Sequence, residues 1–187
     1  MARVRSKSAN TIYQLKVSLN YLNPLIWRQL LVHGNTTLAE LHHILQILMG
    51  WQGHHMHQFT IGRFRYSDPS FELEGTRNQN PVRLKTIARQ VGKEFLYEYD
   101  FGDSWEVKIV VENILPPEKG ELYPRCVYGE FASPPEDSGG APGYSEFAQA
   151  ILDPEHPEHK EMRQSVGQEF DPFVFDMGEV NRRLKQL

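Results

Sequence analysis

Between residues 12 and 20 apolar and polar side chains alternate. Tyr13, Leu15, Val17 and Leu19 are separated by Gln14, Lys16 and Ser18. A period of two puts the apolar set on one face of an extended chain, so the segment predicts a half-buried strand. Asn23-Pro24 reads as a turn, and residues 25–33 (LIWRQLLVH) as a second strand that makes a hairpin with the first. The period then changes. Leu38, Leu41, Leu45 and Leu48 recur at helical spacing. Thr37 and Glu40 have the spacing of a capping box, and Gly50 stands where a helix end favours glycine. A third strand is predicted at about 54–64, with His55, His57, Phe59 and Ile61 on one face.

Residues 65–81 read as loop or weak strand, broken by Asp68-Pro69 and Asn80-Pro81. Leu84, Ile87, Ala88 and Val91 predict a short helix over 84–91, stopped by Gly92. A strong hairpin signal follows. Phe95, Tyr97, Tyr99 and Phe101 alternate up to Gly102-Asp103, and Trp105, Val107, Ile109 and Val111 alternate away from it. Residues 116–143 hold six Pro and five Gly, a density that predicts an ordered irregular loop lying on the sheet, anchored by Cys126, Val127, Tyr128 and Phe131. Helices are predicted at about 144–152, 157–166 and 177–185, the last capped by Asp176 with Glu179. The sum is one α+β domain over residues 11–187, a mainly antiparallel sheet with packed helices (an α/β roll), preceded by a mobile basic tail at residues 1–10.

Composition changes this picture little, and charge changes it more. With 40% hydrophobic and 24% charged residues the chain is an ordinary globular one. It has no apolar run long enough to span a membrane, and no apolar stretch follows the basic N-terminus as in a signal peptide. A single cysteine, Cys126, excludes an intramolecular disulfide and a multi-cysteine zinc site, and fits a reducing cytoplasm. The net charge of −4 argues against a generic polyanion binder, but it hides a split. Residues 1–93 carry twelve Lys and Arg against four Asp and Glu, and residues 94–187 carry eight against twenty. Either the halves neutralise each other within the domain or they present separate faces.

Four groups of residues carry candidate chemistry. His55 and His57, two apart on a predicted strand, share a face and offer neutral imidazoles to a divalent metal, with Asp100, Asp103, Glu136, Asp137 or Cys126 completing the shell. The plainer alternative is a hydrogen-bonded pair at a sheet margin. Asp100-Phe101-Gly102-Asp103 contains the DFG string of protein kinases without the rest of the kinase set, and reads as a turn in which Gly takes positive φ and Asp bonds the backbone. Pro134-Pro135-Glu136-Asp137-Ser138-Gly139-Gly140 presents two carboxylates on a stiffened approach, either to a metal or to Arg28, Arg63 or Arg65. Arg63, Phe64, Arg65 and Tyr66, with Arg77, Arg83, Lys85 and Arg89 nearby, are candidates for stacking bases and contacting phosphates of a nucleic acid.

Several of these strings occur together in one known family. Tyr13-Gln14-Leu15-Lys16-Val17, Ile26-Trp27-Arg28, Thr37-Leu38-Ala39-Glu40-Leu41-His42, Gly50-Trp51 and His55-Met56-His57-Gln58-Phe59 open the match. Tyr97 to Trp105 (YEYDFGDSW), Cys126, the 134–140 motif, Gly143-Tyr144, Phe170-Asp171-Pro172 and Val180-Asn181 continue it. Over about residues 11–184 the chain resembles the plasmid pRiA4b ORF-3-like family. The resemblance implies an α+β roll and relatives on plasmids and among passenger proteins of transposable elements, and it brings no established activity. One position departs from the pattern. Val107 stands where the resemblance implies a His after the Trp-Glu of the hairpin. The expected function is an intracellular binding or interaction module. A metal-dependent hydrolase or nuclease using His55, His57 and the loop acids is the alternative, and nucleic-acid binding through the basic first half is a further one.

Overall fold

The computed structural model describes residues 11–166 and 170–187. The basic segment at 1–10 lies outside the described residues. Eight strands form one sheet: β1 (Ile12–Leu19), β2 (Trp27–His33), β3 (His57–Ile61), β4 (Phe64–Ser67), β5 (Thr76–Asn78), β6 (Glu94–Tyr99), β7 (Trp105–Leu115) and β8 (Arg125–Glu130). Their order is β5-β4-β3-β6-β7-β1-β2-β8. Every neighbouring pair is antiparallel except β4 with β5. Five helices accompany the sheet: α1 (Leu38–Met49), α2 (Leu84–Ile87), α3 (Gly140–Leu152), α4 (His159–Val166) and α5 (Met177–Leu184). This is the α+β architecture that the alternating and helical periods predict. Among the described residues no helix is long and apolar enough to cross a membrane.

The core sits where the periods put it. Leu15, Val17 and Leu19 of β1, Tyr97 and Tyr99 of β6, and Val107, Ile109 and Val111 of β7 are fully buried, and the leucine stripe of α1 lies among them. Each such side chain contributes roughly 1.5–3 kcal/mol by leaving water. The capping box of α1 forms as its spacing predicts. The Thr37 hydroxyl accepts from the Glu40 N–H, the Glu40 carboxylate accepts from the Thr37 N–H, and Gly50 closes the helix in the left-handed conformation. Val107 lies opposite Tyr97 with its side chain in the core.

Several predicted elements shift. β3 begins at His57 rather than 54, so His55 lies in a bend before the strand. The stretch 64–78 supplies two short strands, β4 and the edge strand β5. α2 ends at Ile87, because the chain must rejoin the sheet: Gly92 N donates to Val111 O and Val111 N to Lys93 O. The largest correction concerns 116–143, which is not irregular throughout. Its prolines cluster before and after residues 125–130, and the stretch between them pairs with β2 as an edge strand, where a Gly is tolerated. Similarly α3 starts at Gly140 rather than 144, because Pro142 falls in the first turn, which needs no N–H from it. Close packing demands its glycines. A Cβ on Gly140 would stand 2.3 Å from Asp103 O, and one on Gly143 2.1 Å from Ser138 O.

Two side chains hold β8 in place. Asn181 of α5 acts as a one-residue extension of the sheet. Its Oδ1 accepts from Cys126 N and its Nδ2 donates to Cys126 O, both at 2.8 Å. Arg28 is fully buried, and its guanidinium donates to the carbonyls of Trp27 (2.8 Å), Glu130 (2.7 Å) and Phe131 (2.8 Å) and to Ser133 Oγ (2.9 Å). Burial without a carboxylate partner pulls its pKa down to about 10, which leaves it charged at neutral pH. Asn181→Ala strands both edge groups of Cys126, so stability should fall by about 1–3 kcal/mol, read as a lower urea midpoint. Asn181→Asp keeps the acceptor but sets a carboxylate oxygen against Cys126 O, so it should not restore the wild-type midpoint.

Candidate functional site

The β6–β7 hairpin begins the site. After Tyr99 the chain turns with Asp100 at φ 56° and Ser104 at φ 52°. Gly102 does not take the positive φ expected of it. Asp100 adopts it instead, which aspartate tolerates better than most residues. Asp100 Oδ1 accepts from Gly102 N at 2.9 Å, so the carboxylate is pinned and its Oδ2 faces His55 Nδ1 at 3.7 Å.

The loop after β8 brings the second carboxylate. Arg28 grips its start, Trp51 Nε1 donates to Pro134 O at 3.1 Å, Ser138 Oγ donates to Pro135 O at 2.8 Å, and Gly139 N donates to Asp103 Oδ2 at 3.0 Å. Tied at these points, the loop places Asp137, at φ 58°, with Oδ1 3.2 Å from His55 Nε2. One ligand atom each from His55, Asp100 and Asp137 thus lies within 4.8 Å of the others. Donors around one metal ion lie roughly 3–4.5 Å apart at bond lengths of about 2.0–2.3 Å, so small side-chain adjustments bring this set into range. Asp100 is 13% exposed, His55 32% and Asp137 76%, which makes the group a rim feature open to solvent.

Tyr99 lies beneath the group. Its hydroxyl donates to Glu136 Oε1 and accepts from His55 N at 3.4 Å, and its ring stacks on Trp51 at 4.9 Å. Burial first, and the Glu136 carboxylate second, push this phenol well above its ordinary range, so it stays protonated and donates. The sequence marks Tyr99 only as an alternating strand position, not as a site residue. Its inward face was readable from the alternation of β6, but the partner of its hydroxyl depends on the loop.

The other predicted site residues go elsewhere. The structure separates His57 from His55, because the bend at His55 breaks the two-residue period that would have put both on one face. His57 is buried and stacked on His42 of α1, with ring centroids 3.6 Å apart and planes 8° apart. Its Nε2 meets Gln79 Oε1 at 3.0 Å, while its Nδ1 has no partner among the described residues. Gln46 Nε2 donates to the Tyr97 hydroxyl at 2.8 Å, which leaves that phenol to donate to His42 Nδ1 at 2.7 Å. Asp103 is engaged at the α3 start. Cys126 lies in β8, across four intervening strands from β3, with Sγ on Tyr128 O at 3.3 Å, and burial pushes its thiol up to about 11. The structure does not bring it to the His55 group.

Among the described residues the loop acids also do not pair with arginines. Arg28 binds carbonyls and a hydroxyl, and Arg65 donates to Glu74 O. Arg63 and Arg77 both lie over the Phe64 ring, at 5.1 Å and 3.7 Å, so the aromatic face proposed for bases carries cations of its own chain. Tyr66 is half-buried against the core. The two charge halves share one sheet without pairing their Lys and Arg across it. Among the described residues, the ion pairs of Lys and Arg are Lys108–Glu94, Arg125–Glu121 and Arg182–Glu179, all within the acidic half.

With this geometry in place, the comparisons are informative. The model of the family described as plasmid pRiA4b ORF-3-like protein matches residues 11–179. The chain belongs to the plasmid pRiA4b ORF-3-like family. It is similar to the uncharacterised protein y4hQ of Sinorhizobium fredii, 32% identical over 180 residues, which span 95% of this chain and 92% of the relative. It is also similar to the crystal structure of a protein of unknown function, MM3350 from Methanosarcina mazei Go1. That match has a TM-score of 0.82 and 34% identity over 90% of this chain and 97% of the other. Neither name carries an activity.

The stacked histidines carry a pH signature. Burial, and for His42 the neighbouring imidazoles, lower His42 to about 3 and His57 to about 4. The unfolded chain takes up protons near the ordinary value of about 6.5, and the folded one does so only near 3–4. Stability is therefore unaffected by this pair above about pH 6.5 and is lost as pH falls below it, at up to about 1.4 kcal/mol per pH unit for each histidine. The urea midpoint measured from pH 7.5 to 4.5 should fall accordingly, and less steeply in His42→Gln.

Proposed function

We propose that this protein is a cytoplasmic binding module whose ligand is a divalent metal ion held by His55, Asp100 and Asp137. The observation that carries the reading is convergence. Three segments far apart in the chain, the bend before β3, the β6–β7 turn and the loop after β8, bring an imidazole and two carboxylates within reach of one ion. Both carboxylates come from backbone held in the left-handed region, a conformation that costs on the order of 1 kcal/mol or more and persists where surrounding contacts enforce it. A neutral imidazole with two carboxylates carries charge −2, which balances a divalent cation. Cys126, buried and remote from the group, agrees with a protein kept in a reducing compartment.

The hydrolase or nuclease alternative rests on the same three residues. They leave coordination positions for water, the arrangement of an open rather than a closed centre. What favours binding over turnover is the acidic surround, which repels a phosphodiester and attracts a cation.

Calorimetric titration of the metal-free protein with Mn2+ and with Zn2+ tests the reading. Wild type should bind one ion. His55→Ala and Asp100→Asn should weaken binding by tenfold or more with the fold retained by circular dichroism. His57→Gln should alter stability and leave affinity within about threefold, since His57 faces Gln79. Absence of saturable binding in wild type overturns the proposal. Metal-dependent cleavage of a phosphodiester or peptide substrate, lost in His55→Ala, would move the protein to the enzyme alternative.

A further inference from the structure

Glu136 lies next to Asp137 in the chain and is not among the three ligands. Its Oε1 accepts from the Tyr99 hydroxyl, and its other carboxylate oxygen has no hydrogen-bond partner among the described residues. The same hydroxyl accepts from His55 N, and the Tyr99 and His55 rings meet edge to face at 5.7 Å. One phenol thus touches two segments of the metal group directly, and Asp100 follows it in the chain. A glutamate has three side-chain torsions, and here its backbone is anchored. Pro134 O is held by Trp51 and Pro135 O by Ser138, so the carboxylate can turn while the loop stays in place.

Resting on the metal-binding reading, we propose that Glu136 is the fourth protein ligand of the occupied site, released from Tyr99 when the ion enters. Tyr99 then acts as a latch that parks the glutamate while the site is empty. The exchange is one of contacts: the O–H···O bond between Tyr99 and Glu136 is given up, a metal–oxygen bond to Glu136 forms, and no proton leaves the phenol. The resulting shell of one imidazole and three carboxylates is oxygen-rich and carries charge −3. It suits a hard ion of the Mn2+ class, with the imidazole supplying the one nitrogen.

The experiment is Mn2+ titration of the full chain in wild type, Glu136→Gln and Tyr99→Phe, with ultraviolet difference spectra recorded alongside. Glu136→Gln still accepts from Tyr99, so the apo fold is kept, but a neutral amide is a poor ligand. Its affinity should fall by about 10- to 100-fold. Tyr99→Phe removes the latch, so binding should tighten by several-fold. Wild type should show a tyrosine difference band on adding Mn2+ that Tyr99→Phe lacks. If wild type binds Mn2+ and Glu136→Gln binds it equally well, Glu136 is not a ligand and the three-residue site stands alone. If Tyr99→Phe weakens binding, the phenol positions the site rather than latching it. If wild type does not bind at all, the underlying reading fails together with this one. Thermal midpoints of each apo variant separate a loss of affinity from a loss of fold.

Discussion

A guanidinium buried among carbonyls organises the half of the molecule that carries the loop acids. Arg28 projects from β2 into the core and donates to the carbonyls of its own neighbour Trp27 and of Glu130 and Phe131 at the end of β8, and to the Ser133 hydroxyl. A lysine has three donors on a tetrahedral head and cannot reproduce this planar fork. Because the charge has no carboxylate partner, it depends on these dipoles, and the dipoles are fixed by it. The chain leaving β8 is therefore bent back over the core toward Trp51, and Glu136 and Asp137 arrive beside Tyr99 and His55. Phe175 and Gly129 close over the arginine. The guanidinium lies 3.7 Å from the Phe175 ring, and a Cβ on Gly129 would stand 2.5 Å from that ring and 2.7 Å from the arginine side chain.

Elements set by local rules were legible in the sequence, and elements set by distant partners were not. The alternation in β1, β6 and β7 and the leucine stripe of α1 report burial of the residue that carries them, and all are found where the periods place them. The capping box needs only Thr37 and Glu40, three residues apart. β8 carries no such signal, because its pairing with β2 compensates for a composition that local propensity disfavours. Its outer edge is completed by Asn181, fifty-five residues away. The start of α3 was hidden for the opposite reason. Proline and glycine usually end helices, and here proline begins one while the glycines allow close approach to Asp103 and Ser138.

The candidate site divides along the same line. Asp100 and Asp137 were legible as loop carboxylates, and His55 as an imidazole near a sheet margin. Their meeting was not, because it requires the loop after β8 to cross to the β3–β6 side of the sheet. The pairing of His55 with His57 was the natural inference from a two-residue period. A single bend moved His55 to the rim and left His57 in the core. There it is stacked on a second neutral imidazole and bonded to Gln79. One His-x-His string thus serves two environments. The rim residue is open to an ion, and the buried one is closed to protons until well below neutral pH.

The split of charge along the sequence now has a spatial consequence. Ion pairs of the acidic half close within that half, and arginines of the basic half satisfy themselves on carbonyls and on the Phe64 ring. Among the described residues, no Lys or Arg of the basic half forms an ion pair with a carboxylate of the acidic half. On the strands beside the site, Glu98 is held by Gln58 and Ser104, and Glu106 by Asn20 and Tyr21. These donors are all neutral, so they orient the carboxylates without cancelling their charge. Glu98 and Glu106 project from the face of the hairpin opposite to Tyr99, so the negative potential at His55 comes from Asp100 and Asp137, with Glu136 on the Tyr99 hydroxyl. Such a field raises the local concentration of cations and lowers that of polyanions, increasingly so at low ionic strength. Under the proposed reading, the carboxylates that disfavour a phosphodiester at this rim are those that favour a divalent cation.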